Sequence, residues 1–132
     1  MSYLLDTHIL IWWLFGSRRL SAGQRQVLDA VRPDAPLLVA GITLWEVSTL
    51  AELGRIDLGM ATREWLERAV APPLVRVLPL TPAIAAEVGQ LGKDLHRDPA
   101  DRILVATARI HGATLVTSDR KIQRAGLVPT LG

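Results

Sequence analysis

Short apolar runs alternate with longer amphipathic stretches along the whole chain. The runs lie at 2–5, at 37–40 (Leu-Leu-Val-Ala), at 74–78 (Leu-Val-Arg-Val-Leu) and at 114–117 (Thr-Leu-Val-Thr). Brief continuous runs bounded by turn residues suit strands buried on both faces, as in a parallel sheet. Between them, helix starts are legible. Ser21-x-x-Gln24 is a capping box opening a helix over about 22–32, and Thr43-x-x-Glu46 opens one over about 44–53 with Gly54 as its stop. Thr62 opens 63–71, Thr81-Pro82 opens 82–92, and Asp98-Pro99 opens 99–111, stopped by Gly112. No repeat, low-complexity tract or linker interrupts the pattern. The prediction is a single α/β domain over 1–132, with helices flanking a mainly parallel sheet whose edge is completed by Val128–Leu131.

That topology carries a geometric condition. The helix at 99–111 reaches the strand at 114–117 through about two residues, so it runs antiparallel to that strand and its first turn lies at the carboxyl edge of the sheet. Open α/β sheets bind ligands at that edge. The helix from 82 starts at the same edge, so residues 93–98 must carry the chain back. At about 3.3–3.6 Å per residue the return is tight, which favours a helix shorter or more tilted than 82–92.

Composition narrows the class. The 132 residues contain no Cys, which excludes a disulfide-stapled module and a Cys-ligated zinc or iron–sulfur site. No apolar run approaches the roughly 20 residues that span a bilayer. The start, Met1-Ser2-Tyr3-Leu4-Leu5-Asp6, lacks the basic region of a signal peptide, so a cytoplasmic protein with no membrane partner is expected. The net charge is only +2, but thirteen of the fifteen basic residues are Arg. Arg is the better planar donor to phosphate oxygens, so the bias suits a nucleic-acid partner; an Arg-rich proteome explains it equally well. The positive mean hydropathy, +0.26, suggests surface covered by a copy of itself or by a partner.

Four acids stand out by position. Asp6 ends the first strand, Glu46 and Asp101 sit in first helical turns, and Asp119 follows the fourth strand, all at the carboxyl edge. Singly, each has a structural explanation as a cap or as an acid favoured by the helix dipole. Together they repel one another unless something cationic neutralises them. Hard oxygen donors without Cys or a paired His motif favour Mg²⁺, or Mn²⁺, over zinc. One or two such ions would activate a water and stabilise charge developing on a phosphate. Metal-dependent phosphoryl chemistry is the leading hypothesis from spacing alone.

Leu4-Leu5-Asp6-Thr7-His8 with Trp12 beyond it, Leu44-Trp45-Glu46-Val47-Ser48 with Gly54-Arg55-Ile56, His96-Arg97-Asp98-Pro99-Ala100-Asp101-Arg102, and Thr117-Ser118-Asp119 together resemble the PIN-domain ribonucleases of the VapC toxin type. The motifs recur in order from residue 4 to 119. The resemblance implies a parallel five-stranded α/β/α fold, Mg²⁺-dependent endonucleolytic cleavage of RNA, a cognate antitoxin that wraps and inhibits the toxin, and a homodimer. Carried over by residue, Asp6, Glu46, Asp101 and Asp119 match the family's acidic quartet. Asp6 and Asp101 are then the safest metal ligands; Asp119 binds or positions a second ion or the water, and Glu46 completes the shell. Thr117 matches the hydroxyl two residues before the last acid, supporting a water or a carboxylate.

Neighbouring residues divide between site and scaffold. Asp98, preceding Pro99, reads first as an N-cap. His8 and His96 flank the site, where either touches substrate or holds a carboxylate in place, since a metal-activated water leaves no need for a general base. Arg97 and Arg102 are placed to bind RNA phosphates, with Arg102 equally suited to pairing with an acid. Seven consecutive apolar residues, Ile9 to Phe15, leave no polar face for a surface helix, and Trp12, Trp13 and Phe15 are the candidates to meet an antitoxin segment or a second subunit. Trp45 and Trp65 read as helix core. Competing classes fit less well. A phosphatase of the haloacid dehalogenase type needs a second Asp where His8 stands, and a response-regulator receiver needs a Lys at a late strand end, where neither Lys93 nor Lys121 is placed. A non-catalytic binding module and a PIN-domain nuclease of RNA processing remain as alternatives.

Overall fold

The computed structural model describes residues 1–132. In chain order the elements are β1 (Tyr3–Leu5), α1 (Thr7–Leu14), α2 (Ala22–Asp29), β2 (Leu37–Ala40), α3 (Gly41–Glu52), α4 (Thr62–Ala69), β3 (Val75–Leu78), α5 (Pro82–Val88), α6 (Pro99–His111), β4 (Thr114–Val116), α7 (Arg120–Ala125) and β5 (Thr130–Leu131). The five strands form one sheet in the order β3-β2-β1-β4-β5, and every pairing is parallel.

Alternation along the strands explains why they read as unbroken apolar runs. Leu4, Leu38, Ala40, Leu78 and Leu115 turn to one face, where they pack with Ile84, Leu104, Val105 and Ile122 of α5, α6 and α7. Leu5, Leu37, Val39, Val75 and Val116 turn to the other, against Ile9, Leu10 and Leu28 of α1 and α2. Both faces are covered, so neither side of a strand is free to be polar. Right-handed crossovers require this division, because the connections from β1 to β3 step one way along the sheet and those from β3 to β5 step the other. The reversal falls between β1 and β4. A third cluster, Ile11, Val47, Trp65 and Ala69, packs α1, α3 and α4 together.

Several helix ends differ from expectation for identifiable reasons. The Ser21–Gln24 capping box is present in full, with each partner's backbone N–H bonded to the other's side chain, but α2 stops at Asp29 because Arg32 and Ala35 pair across a tight turn at Pro33-Asp34. α3 begins at Gly41, directly from the end of β2 with Ala40 as an uncapped N-cap, so Thr43 and Glu46 lie inside the helix and form no capping box. Thr62 is the first residue of α4 rather than its cap. α5 is shorter than 82–92, one of the two outcomes that the tight return path favoured. It ends at Val88, and residues 89–98 carry the chain back to α6 with Gly92 at φ +75°. The short α7 has no apolar periodicity and was not predicted; it is set by its Asp119 cap and stopped by Gly126 in the left-handed region.

Leu104, fully buried between α5 and the sheet, and Leu53, 60% exposed after α3, give a direct test of this layering. Leu104→Ala is expected to cost about 2–5 kcal/mol in urea unfolding, and Leu53→Ala no more than about 0.5 kcal/mol.

Candidate active site

The reversal of strand order places the ends of β1 and β4 side by side, and both are followed at once by an acid-bearing turn. Asp6 is the backbone N-cap of α1, yet its side chain caps nothing. Instead Thr117, at the end of β4, donates from Oγ1 to Asp6 Oδ2 at 2.6 Å. The same Oγ1 accepts from the Asp119 N–H at 3.0 Å, so one buried hydroxyl couples the two acids across neighbouring strands. Asp119 Oδ1 in turn accepts from the N–H groups of Lys121 and Ile122 at 2.8 and 3.4 Å, capping α7.

The other two acids come from helices, Asp101 from α6 and Glu46 from α3. Asp101 lies in the first turn of α6, where its N–H is capped by Asp98 Oδ1 at 3.1 Å, as the N-cap reading anticipated. His96 Nε2 lies 2.6 Å from Asp101 Oδ2, so His96 holds a carboxylate in place. Glu46 projects from the second turn of α3, a helix that packs against both α1 and α6. Thr7 donates to Glu46 Oε1 at 2.6 Å. That uses the only proton of Thr7, so Thr43, 3.0 Å away, is the donor to Thr7. The pair that looked like a capping box in sequence is the start of a hydroxyl relay that orients Glu46.

Asp6, Glu46, Asp101 and Asp119 all line one cleft of about 410 Å³, with Asp98 and Ser118 on the same side. For Asp6, Glu46 and Asp101, burial is the leading electrostatic influence. Desolvation pushes the Asp6 carboxyl up, with nearby Asp101 adding to it and the Thr117 hydrogen bond opposing it. Glu46 is pushed up to about 7 by desolvation, against the Thr7 hydrogen bond and with Asp6, Asp101 and Asp98 reinforcing it. Asp101 is raised by desolvation and by Asp98, while His96 opposes. Carboxylates crowded in this way favour a cation among them. The donor set fits a hard divalent ion, since five of the ten residues lining the cleft are carboxylates. Ligand atoms of Asp101, Asp119 and His96 fall within 4.8 Å of one another. His96 Nε2 is committed to Asp101, while its Nδ1 is buried without a hydrogen-bond partner.

Other predicted residues are sorted by the structure. His8 is exposed and lines the cleft, with its ring 6.0 Å from that of Trp12. Arg97 is exposed beside His96. Arg102 does not line the cleft and pairs with no acid; its guanidinium donates to the carbonyls of Gly92, Leu95 and Val88 at 3.1, 3.1 and 3.2 Å, pinning the return loop to the end of α5. The carbonyls of a loop of turns claim this cation, a demand invisible in the sequence. The α1 aromatics diverge. Trp12 lines the cleft, Trp13 donates to Asp29 Oδ1 at 3.2 Å, and Phe15 lies edge-on to Trp65. Trp65 is buried as expected, but Trp45 is 61% exposed, because α3 turns Thr43 and Val47 inward instead.

Sequence reasoning missed Gln24 as a site support. Fully buried, it donates from Nε2 to Ser118 Oγ at 3.1 Å and to the Leu131 carbonyl at 3.3 Å, so α2 braces the turn that presents Asp119. Its capping-box role was legible; the second role depends on a contact across 94 residues.

Comparison with known proteins agrees with this fold. A model of the PIN domain matches residues 3–127. Ribonuclease VapC22 of Mycobacterium tuberculosis is 38% identical over 120 residues, covering 91% of this chain and 88% of that protein. Among solved structures, VapBC2 from Rickettsia felis, bound to a promoter DNA fragment, superposes with a TM-score of 0.73 at 17% identity over 99% of this chain and 98% of that one. A toxin–antitoxin complex from Klebsiella pneumoniae gives a TM-score of 0.67 at 27% identity over 99% and 97%. The chain belongs to the PIN-domain family, among its VapC-type members.

Proposed function

We propose that this chain is a metal-dependent endoribonuclease that serves as the toxin of a toxin–antitoxin pair. The observation that carries the reading is the convergence of Asp6, Glu46, Asp101 and Asp119 on one cleft at the strand-order reversal, in a chain 38% identical to a named ribonuclease. In this reading the four carboxylates hold Mg²⁺, or Mn²⁺ in its place, with Asp6 and Asp101 as principal ligands. The ion, when bound, supplies a water acidic enough to attack at neutral pH and neutralises charge on the phosphate. The chain's own residues supply orientation. Thr117 fixes the Asp6 carboxylate, His96 fixes that of Asp101, and Thr7 with Thr43 fixes Glu46. His8, at the mouth of the cleft, and Arg97, on the outer surface beside His96, are the groups placed to meet RNA.

The partners follow from the same relatives. An antitoxin is the proposed inhibitor, and the end of α1 offers it an anchor. Phe15 is 46% exposed, and Leu14 lines a small apolar hollow with Met60 and Trp65. A homodimer is proposed to cover further apolar surface, of which the exposed Trp45 is the largest element. No helix is long and apolar enough to cross a membrane, and a cytoplasmic setting is part of the proposal.

Induction in a bacterial host tests the reading. The native chain is expected to arrest growth and, purified, to cleave RNA only with Mg²⁺ or Mn²⁺. Asp101→Asn at equal expression is expected to do neither, with cleavage at least about 100-fold slower. Equal arrest by both would overturn a catalytic origin of toxicity.

The raised carboxyls give a pH signature with a definite sign. The folded chain holds the Glu46 proton up to about pH 7, against an ordinary value of 4.5, so between these values the folded state binds more protons than the unfolded. Stability of the metal-free protein therefore falls as pH rises through that window. The melting temperature in EDTA is expected to drop from pH 5 to pH 8, and Mg²⁺ to raise it more at pH 8 than at pH 5. Glu46→Gln should flatten the drop. A metal-free melting temperature that rises across this range would contradict the assignment.

A further inference from the structure

The residues lining the cleft fall into two unlike sets. Five are carboxylates; four others, His8, Ile9, Trp12 and Arg19, come from α1 and the turn after it. Arg19 is the only Arg or Lys lining a cleft that contains five carboxylates. Its guanidinium sits 5.7 Å from the centroid of the Trp12 ring. Arg19 is exposed, and its side chain takes part in no ion pair and no hydrogen bond; only its backbone N–H is engaged, by Ser17 Oγ at 3.1 Å. Trp12 is half-buried with its indole N–H unbonded, whereas the adjacent Trp13 spends the same group on Asp29. An aromatic ring, a tilted imidazole beside it and an uncommitted guanidinium above it thus border the acids without being used by the fold.

We propose that Trp12 and Arg19 form a substrate subsite for the nucleotide flanking the cleaved bond, the indole taking one unpaired base and the guanidinium one backbone phosphate. The inference rests on the ribonuclease reading and deepens it, since it assigns recognition of the flanking nucleotide to two residues of this chain. An indole offers its surface only to a base that has left the helical stack. A polyanion approaching five carboxylates needs a fixed cation beside them, and Arg19 is the one the cleft provides. The guanidinium lies over the ring, within reach of a cation–π attraction, and its donors are free for phosphate oxygens.

The test is binding of a fluorescein-labelled pool of randomised 12-nucleotide single-stranded RNA, read by anisotropy in the presence of Mg²⁺. The protein is the Asp101→Asn chain, so the probe stays intact. Adding Trp12→Leu is expected to weaken binding about 10-fold, within the range of one lost base–aromatic contact, and Trp12→Phe to restore it to within about threefold. Adding Arg19→Gln is expected to weaken binding and to reduce the slope of log Kd against log salt by about one. The same strands annealed into duplex should bind more weakly than single strands. Unchanged affinity in Trp12→Leu and Arg19→Gln, or equal binding of duplex, would overturn the subsite and leave the ribonuclease reading standing. Failure of the Asp101→Asn chain to bind RNA, together with failure of the native chain to cleave it, would overturn both.

Discussion

The hydrogen bond from Thr117 to Asp6 is the contact on which the arrangement of the cleft depends. It is made between the first residues beyond two adjacent parallel strands, at the place where strand order reverses. Both partners are buried, so neither finds water as a substitute, and loss of the hydroxyl would leave a desolvated carboxylate short of a donor. The same Oγ1 accepts from the Asp119 backbone, which makes one side chain responsible for the relative placement of two acids. Gln24 supports that turn from the opposite side through Ser118. The turn after β4 is therefore held by side chains from two separate elements, and its geometry is stiffer than a three-residue loop would be alone.

This rigidity works against electrostatic comfort. Desolvation raises the carboxyls of Asp6, Glu46 and Asp101, and each feels at least one neighbouring acid. A fold selected only for stability would separate such groups or pair them with Arg. Thirteen Arg are available, yet Arg102, the one nearest in sequence to Asp101, is used on three backbone carbonyls. The acids are instead held by neutral hydroxyls and by one imidazole, donors that orient a carboxylate while leaving most of its negative charge for a cation. Local strain of this kind, supported by buried polar contacts elsewhere, is common at sites that bind or react.

The helices divide the labour by face. α5, α6 and α7 share one core with the sheet, and α1 and α2 share the other, while α3 crosses the carboxyl edge and touches elements of both sides. That crossing brings Glu46 over the acids at the ends of β1 and β4. It also explains why α3 exposes Trp45: the helix turns Thr43 to Thr7 and Val47 to the α1–α4 cluster, and Trp45 lies on what is left.

Much of this was determined locally and so was legible in the sequence. Continuous apolar runs identified strands buried on both faces, Ser21–Gln24 and Asp98-Pro99 marked helix starts, and the tight return after residue 82 foretold a shorter α5. The positions of Asp6, Asp101 and Asp119 at strand and helix ends followed from the same pattern, whereas Glu46 lies one turn deeper in its helix than the pattern placed it. Tertiary structure decided what depends on which groups meet. Thr43 looked like a cap and became a donor to Thr7; Arg102 looked like a phosphate or acid partner and became a clamp on loop carbonyls. Trp45 looked like core and lies outside, and α7, without a periodic pattern, rests on its Asp119 cap. The physical reason is common to all four. Hydrophobic periodicity records which face of an element is buried, whereas a hydrogen-bond partner is chosen by proximity in space, and here those partners stand up to 111 residues apart.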